Sequence, residues 1–158
     1  MQLGYTLVYV ADVTATVDFY ERAFGLSRRF VHESGTYAEM ETGATALAFA
    51  AETLAESHGF SIRPNRSGEV AAAFELCLVC DSPEQAYDLA VAAGAVALKP
   101  TELKPWGQKV AYVRDLNGCL VELCTAMGEQ GALEIHGAGV SRRRWAFQCS
   151  GAGGVRPL

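Results

Sequence analysis

Two carboxylates and a pair of thiols stand where chemistry is possible. Glu122 lies inside the apolar run of "RDLNGCLVEL" (114–123), just after an Asn-Gly turn signal. Glu75 opens "ELCLVC", where Cys77 and Cys80 make a Cys-x-x-Cys spacing. A carboxylate within an apolar strand either points to water or has a partner, because burying an unpaired charge is too costly. Two carboxylates brought together share a proton, hold a cation between them, or anchor a ligand's positive group. The Cys-x-x-Cys spacing serves zinc or redox chemistry only where both thiols reach one point. Residues three apart on a strand point to opposite faces. Cys77 and Cys80 therefore read as small apolar thiols, and the same parity argues against a four-thiolate zinc site completed by Cys119 and Cys124.

The elements that must hold these residues come as a duplication. "LVYVADVTATVDFYERAFGL" and "LCLVCDSPEQAYDLAVAAGA" share one layout. Each is an apolar strand ending in Asp (Asp12, Asp81), then an amphipathic helix that stops at the same distance, at Gly25 and Gly94. In the second copy Ser82 is the expected N-cap, Pro83 takes the first helical position and Gln85 completes a capping box. In the first copy Thr14 is the expected N-cap, and both glycines suit the left-handed conformation that ends a helix.

Three strand candidates follow each helix. They are "SRRFVHE", "TYAEMET" and "TALAFAA" in the first half, and "AVALKPTEL", "QKVAYVRD" and "CLVELCT" in the second. The class is α+β, with tandem βαβββ modules over 1–50 and 74–127, a linker over 51–73 and a C-terminal tail over 128–158. Each module alone would be marginal, and pairing them buries a common core.

Composition bounds the function. The 158 residues are half hydrophobic and one-fifth charged, with net charge -5 and five cysteines. An acidic balance argues against a nucleic-acid surface, even with "RRRW" (142–145) in the tail. That tail is expected to pack as an arm on its own or a partner chain, or to be loosely held. No apolar run reaches the ~18 residues of a membrane span. The start, "MQLGYTLVYVADV", has no basic n-region, so a cytoplasmic protein with free thiols is expected.

The tandem repeat, "VADVTATVDFYERAFGL" near the start and "RDLNGCLVEL" near the end, resembles the vicinal oxygen chelate superfamily. That group includes glyoxalase I, extradiol dioxygenases, fosfomycin-resistance enzymes and bleomycin-resistance proteins. The resemblance implies sheets rolled into paired half-barrels around a cavity, often across a homodimer. It also implies metal ligands on the first and last strand of each half. Those positions fall on Tyr5 and, within a residue, Ala48, and on Glu75 and Glu122. The enzymes resembled place His on the first strands. Here His32, His58 and His136 all lie off the first and last strands and read as surface or loop histidines.

Strand parity then assigns faces. Glu75 groups with Cys77 and Val79, Glu122 with Leu120 and Cys124, and Tyr5 with Leu7 and Tyr9. Ala46, Ala48 and Ala50 share a face, which means either close packing against something bulky or room for a ligand. Glu75 and Glu122 either bond to protein groups or anchor a ligand. Trp106, between Pro105 and Gly107, either plugs the core edge or stacks on a ligand ring. Within the resemblance, this set is closest to bleomycin-resistance-type binders of flat or cationic antibiotics. The expectation is a cofactor-free small-molecule binder and homodimer with Tyr5, Tyr9, Tyr37, Ala48, Glu75, Trp106 and Glu122 at the ligand. The competing expectation is a metal-dependent lyase or dioxygenase using Glu75 and Glu122 on a divalent ion.

Overall fold

A computed structural model describes residues 1–128 of the chain. The elements run β1 (Tyr5–Val10), α1 (Val13–Phe24), β2 (Ser27–Val31), β3 (Tyr37–Glu41), β4 (Ala46–Ala51), α2 (Glu52–Ser57), β5 (Glu75–Val79), α3 (Pro83–Ala92), β6 (Val96–Leu103), β7 (Lys109–Arg114) and β8 (Leu120–Cys124). Two four-stranded mixed sheets result, ordered β1-β4-β3-β2 and β5-β8-β7-β6. In each, the first strand pairs in parallel with the last and the other pairs are antiparallel. The expected βαβββ modules are present. The tail beyond Gly128, with His136 and "RRRW", lies outside the described residues.

One local expectation is corrected. The N-cap of α1 is Asp12, not Thr14: Asp12 is extended and its Oδ1 accepts the Ala15 N–H at 2.9 Å. Thr14 falls inside the helix, one residue too late to reach an orphan N–H. The linker opens with α2, whose Glu52 pairs with Arg66 at 2.6 Å. Ser82 does cap α3, accepting from the Gln85 N–H at 3.4 Å, and Gly25 ends α1 with φ 66°. Pro100 sits in β6, an edge strand, where its missing N–H costs no ladder bond.

One core serves both modules. Val10, Val17, Phe19, Tyr20, Met40 and Phe49 of the first join Ala90, Ala111, Val113, Val121 and Leu123 of the second in one buried cluster. The Tyr20 ring packs 4.7 Å from Phe49 and 5.0 Å from Phe24. Its hydroxyl crosses the module boundary and donates to Asp115 Oδ2 at 2.8 Å. The other oxygen, Oδ1, accepts the N–H groups of Asn117 (2.9 Å) and Cys119 (2.7 Å), closing the β7–β8 turn. Asn117 Nδ2 donates to Thr16 Oγ1 of α1 at 3.0 Å. Beside it, the buried Arg114 guanidinium donates to the carbonyls of Gly118, Arg66, Ser67 and Glu69. The linker is thereby held so close to the turn that a Cβ on Gly118 (φ 89°) would lie 2.5 Å from the Arg66 carbonyl.

Burial raises the Asp115 carboxyl above its ordinary range, and the Tyr20 hydroxyl and the turn N–H groups oppose that rise. Tyr20→Phe removes one opposing donor. The cost expected is about 1.5–3 kcal/mol, the range for a hydrogen bond to a charged group. The variant's carboxyl then titrates higher still. A raised carboxyl loses stability as pH rises through its folded pKa. The gap between wild type and Tyr20→Phe should therefore widen from acid towards neutral pH. Urea unfolding at several pH values checks this; a gap independent of pH would place the cost in packing instead.

Candidate functional site

The register of the second sheet aligns four chemically active side chains in one rank. Cys77 of β5 is opposite Glu122 of β8, Glu122 is opposite Tyr112 of β7, and Tyr112 is opposite Lys99 of β6. Directly opposed residues share a face, so thiol, carboxylate, phenol and ammonium follow one another across the sheet. The other face carries Val113, Val121 and Leu123 into the core. Alternation alone decides which set is which, so the Asn-Gly turn that sets the β7–β8 register also sets the site.

Glu122 has two partners. Tyr112 Oη donates to its Oε2 at 2.8 Å, and Cys77 Sγ lies 3.5 Å from its Oε1. Cys77 Sγ is also 3.8 Å from Glu75 Oε1. Glu75 and Glu122 are thus on adjacent strands and one face, but they are not directly opposite. Glu75 is level with Leu120, one rank away, and the thiol stands between the carboxylates. Loss of solvent, then the Glu122 carboxylate, push the Cys77 thiol up to about 12. The same causes raise the Tyr112 phenol. Cys77 is consequently a protonated hydrogen-bond donor at neutral pH.

Sequence reasoning placed Cys77 on the Glu75 face but took it for an apolar thiol, and it passed over Tyr112 and Lys99 altogether. Counting back across the turn from Glu122 would have found Tyr112. Lys99 was beyond such counting, because register shifts flank it on both sides in β6. Lys104 is a third omission: its Nζ stands 5.9 Å from the Tyr112 ring centroid. Its recorded carboxylate partner is Glu102, at 2.9 Å.

The first sheet shows what the duplication changed. Leu7 is opposite Ala48, and Ala48 is opposite Glu39. Ala48 therefore occupies the rank of Glu122, and Tyr5, level with Ala46, that of Glu75. The carboxylate of this sheet has moved one strand over to Glu39, where Tyr37 Oη donates at 2.8 Å and Arg29 pairs at 3.1 Å. Ala46, Ala48 and Ala50 are all buried, so this row offers no open floor.

The remaining expected residues do not converge with Glu75 and Glu122 in one chain. Tyr5 is exposed at the start of β1. Tyr9 lines a separate cavity of about 300 Å³ with Ile62, Arg63 and Phe74, and its ring meets Phe60. Trp106 is half exposed in the β6–β7 turn, donating from Nε1 to Gln108 Oε1 at 2.8 Å. His32 bonds Ser34, and His58 lies beside Phe60.

A donor set for a metal exists in part. Glu75, Cys77 and Glu122 offer ligand atoms all within 4.8 Å of one another. Two carboxylates and a thiolate fit a borderline divalent ion such as zinc, with water completing the shell. They do not reproduce a histidine-bearing set, and the equivalent positions of the first sheet, Tyr5 and Ala48, contribute nothing to it.

Comparison with known proteins agrees with this architecture. A family model described as Glyoxalase/Bleomycin resistance protein/Dioxygenase superfamily matches residues 2–123. The chain is 28% identical over 125 residues to the protein YraH of Bacillus subtilis, covering 78% of this chain and 97% of that one. It resembles the crystal structure of a glyoxalase-related enzyme from Fulvimarina pelagi (TM-score 0.69, 21% identity, 80% of this chain and 88% of that one). A family enzyme from Burkholderia phytofirmans PsJN is similar (TM-score 0.68, 21% identity, 79% and 98%). At these identities the solved structures speak for the fold.

The thiol reports on the site without any ligand. Cys77 should react slowly with iodoacetamide near neutral pH, because little of it is thiolate. Glu122→Gln removes the neighbouring charge, lowers the thiol's pKa and should speed labelling severalfold. Peptide mass spectrometry separates Cys77 from Cys80. An unchanged rate would mean that the carboxylate does not hold the thiol.

Proposed function

The chain belongs to the glyoxalase/bleomycin resistance protein/dioxygenase superfamily, and within it we propose a small-molecule binding protein of the bleomycin-resistance type. The observation that carries this reading is the Tyr112–Glu122 pair on an open face. A carboxylate held by a phenol and a weakly donating thiol, with no cation paired to it among the described residues, keeps charge and acceptor capacity for a ligand, unlike Glu39, which Arg29 neutralises beside Tyr37. Beside it lie apolar walls at Leu98 and Leu120. Such a floor, apolar with a few convergent polar groups, is the usual form of a ligand site.

Completion of the cavity falls to a second copy. Val79, Leu98 and Leu103 leave apolar surface exposed on the second module, and β1 and β5 are sheet edges. A homodimer covers such surface and brings the Tyr5 and Tyr37 face of one chain to the Glu122 face of the other. Sedimentation at micromolar concentration should show a dimer, and Val79→Lys on the β5 edge should shift it to monomer. A wild-type protein sedimenting only as monomer would exclude this pairing.

The second reading, a metal-dependent enzyme, is favoured by the Glu75–Cys77–Glu122 cluster. A bound divalent ion would polarise a substrate oxygen there. A thermal-shift screen separates the two, because whatever binds the native state raises the melting temperature. We expect cationic aromatic antibiotics to raise it and zinc or manganese alone to leave it unchanged. Glu122→Gln should weaken such a ligand by about 1.5–3 kcal/mol. Stabilisation by the metal alone, lost in Glu122→Gln, would favour the enzyme.

A further inference from the structure

The rank across the second sheet has two poles. At one end stand Cys77 and Glu122, with Glu75 one rank away; at the other, Lys99. Lys104 joins Lys99 in lining a cavity of about 530 Å³ with Leu98, Tyr112 and Leu120. Lys104 is held in place: its side chain is 19% exposed and its ammonium stands over the Tyr112 ring. Its partner Glu102 is 55% exposed, so that pair is open to water and competes weakly for the ammonium. Lys99 makes no ion pair among the described residues. Two lysines thus line one cavity of a chain whose net charge is -5. A purely cationic ligand would be repelled at this end.

Resting on the small-molecule reading above, we propose that the ligand is amphoteric: it carries an anionic oxygen group, carboxylate or phosphate, seated between Lys99 and Lys104. Its apolar body lies on Leu98 and Leu120, and its amine or other donor reaches Glu122. Lys99 and Glu122 are two strands apart, which at about 4.8 Å per strand sets the two groups roughly 10 Å apart at the backbone. That separation suits groups at opposite ends of one aromatic ring. Tyr112 lies between the poles and keeps them apart, its hydroxyl on the carboxylate and its ring under the ammonium.

Paired probes that keep the amine and ring and change only the acid test this. One pair is 4-(2-aminoethyl)benzoate and its benzamide; the other is tyramine O-phosphate and tyramine. Calorimetric titration of the full chain should show the acid of at least one pair binding about ten- to a hundred-fold tighter than its acid-free counterpart. Comparing the two pairs tells carboxylate from phosphate. Lys99→Met and Lys104→Met keep the apolar stems; together they should abolish the preference by weakening the acids, while the acid-free probes, which are cations, should bind no more weakly than to wild type. Equal binding of acid and acid-free probes would overturn the proposal while the binding-protein reading stands. So would a preference that survives in the double variant. Failure of all four probes to bind wild type would likewise overturn the proposal, and the binding-protein reading is then decided by the thermal-shift screen. Should the double variant misfold, each single variant is expected to lose part of the preference, and the wild-type comparison decides alone.

Discussion

Asp115 is the point on which the rest of the structure depends. One buried carboxylate accepts the Tyr20 hydroxyl from the first module and two N–H groups from its own turn. The turn and the module interface are therefore made by the same two oxygens. A carboxylate under the core tolerates burial only when its lone pairs are filled, so Tyr20 cannot retreat without cost, and α1 stays on the second module. The turn in turn fixes Arg114 opposite Leu120 and Tyr112 opposite Glu122. A slip of one residue there would send Glu122 into the core and Val121 into the site.

Arg114 does for the linker what Asp115 does for the modules. Its guanidinium gathers the carbonyls of Arg66, Ser67, Glu69 and Gly118. Irregular backbone has no ladder to satisfy its acceptors, and a fork of five donors supplies one. Gly118 is required twice, once for its positive φ and once because the Arg66 carbonyl occupies the space of a Cβ.

The two halves keep one scaffold and divide its uses. In the first sheet, the rank equivalent to the site is closed: Ala48 is buried and Glu39 is matched by Arg29 and Tyr37. In the second, the carboxylate sits on the last strand with a phenol and a thiol beside it, and cationic side chains stand further along the same face. Duplication lets one copy carry packing while the other holds groups whose mutual repulsion and desolvation work against stability. The raised Cys77 thiol and Tyr112 phenol are the visible sign of that tension.

Local patterns were enough to write down the modules. Period-two strands, the Asp-to-Gly helix spacing and the Asn-Gly turn depend on neighbours in the chain, so βαβββ twice over, the Ser82 cap and the inward faces of β5 and β8 were legible. The Glu75 and Glu122 face was legible for the same reason, since parity is a property of one strand. What the sequence could not reveal was set by pairing between strands far apart. Glu122 stands level with Cys77 rather than Glu75 because the parallel β5–β8 register is decided by packing on the core, not by a turn joining them. Lys99 reaches the rank only through the bulges of β6. The linker's contribution, Arg66 against Gly118, depends on a buried arginine forty-eight residues along the chain. A residue's own neighbours fix its face, but only the folded sheet fixes what lies across from it, and the chemistry of this site is made by what lies across.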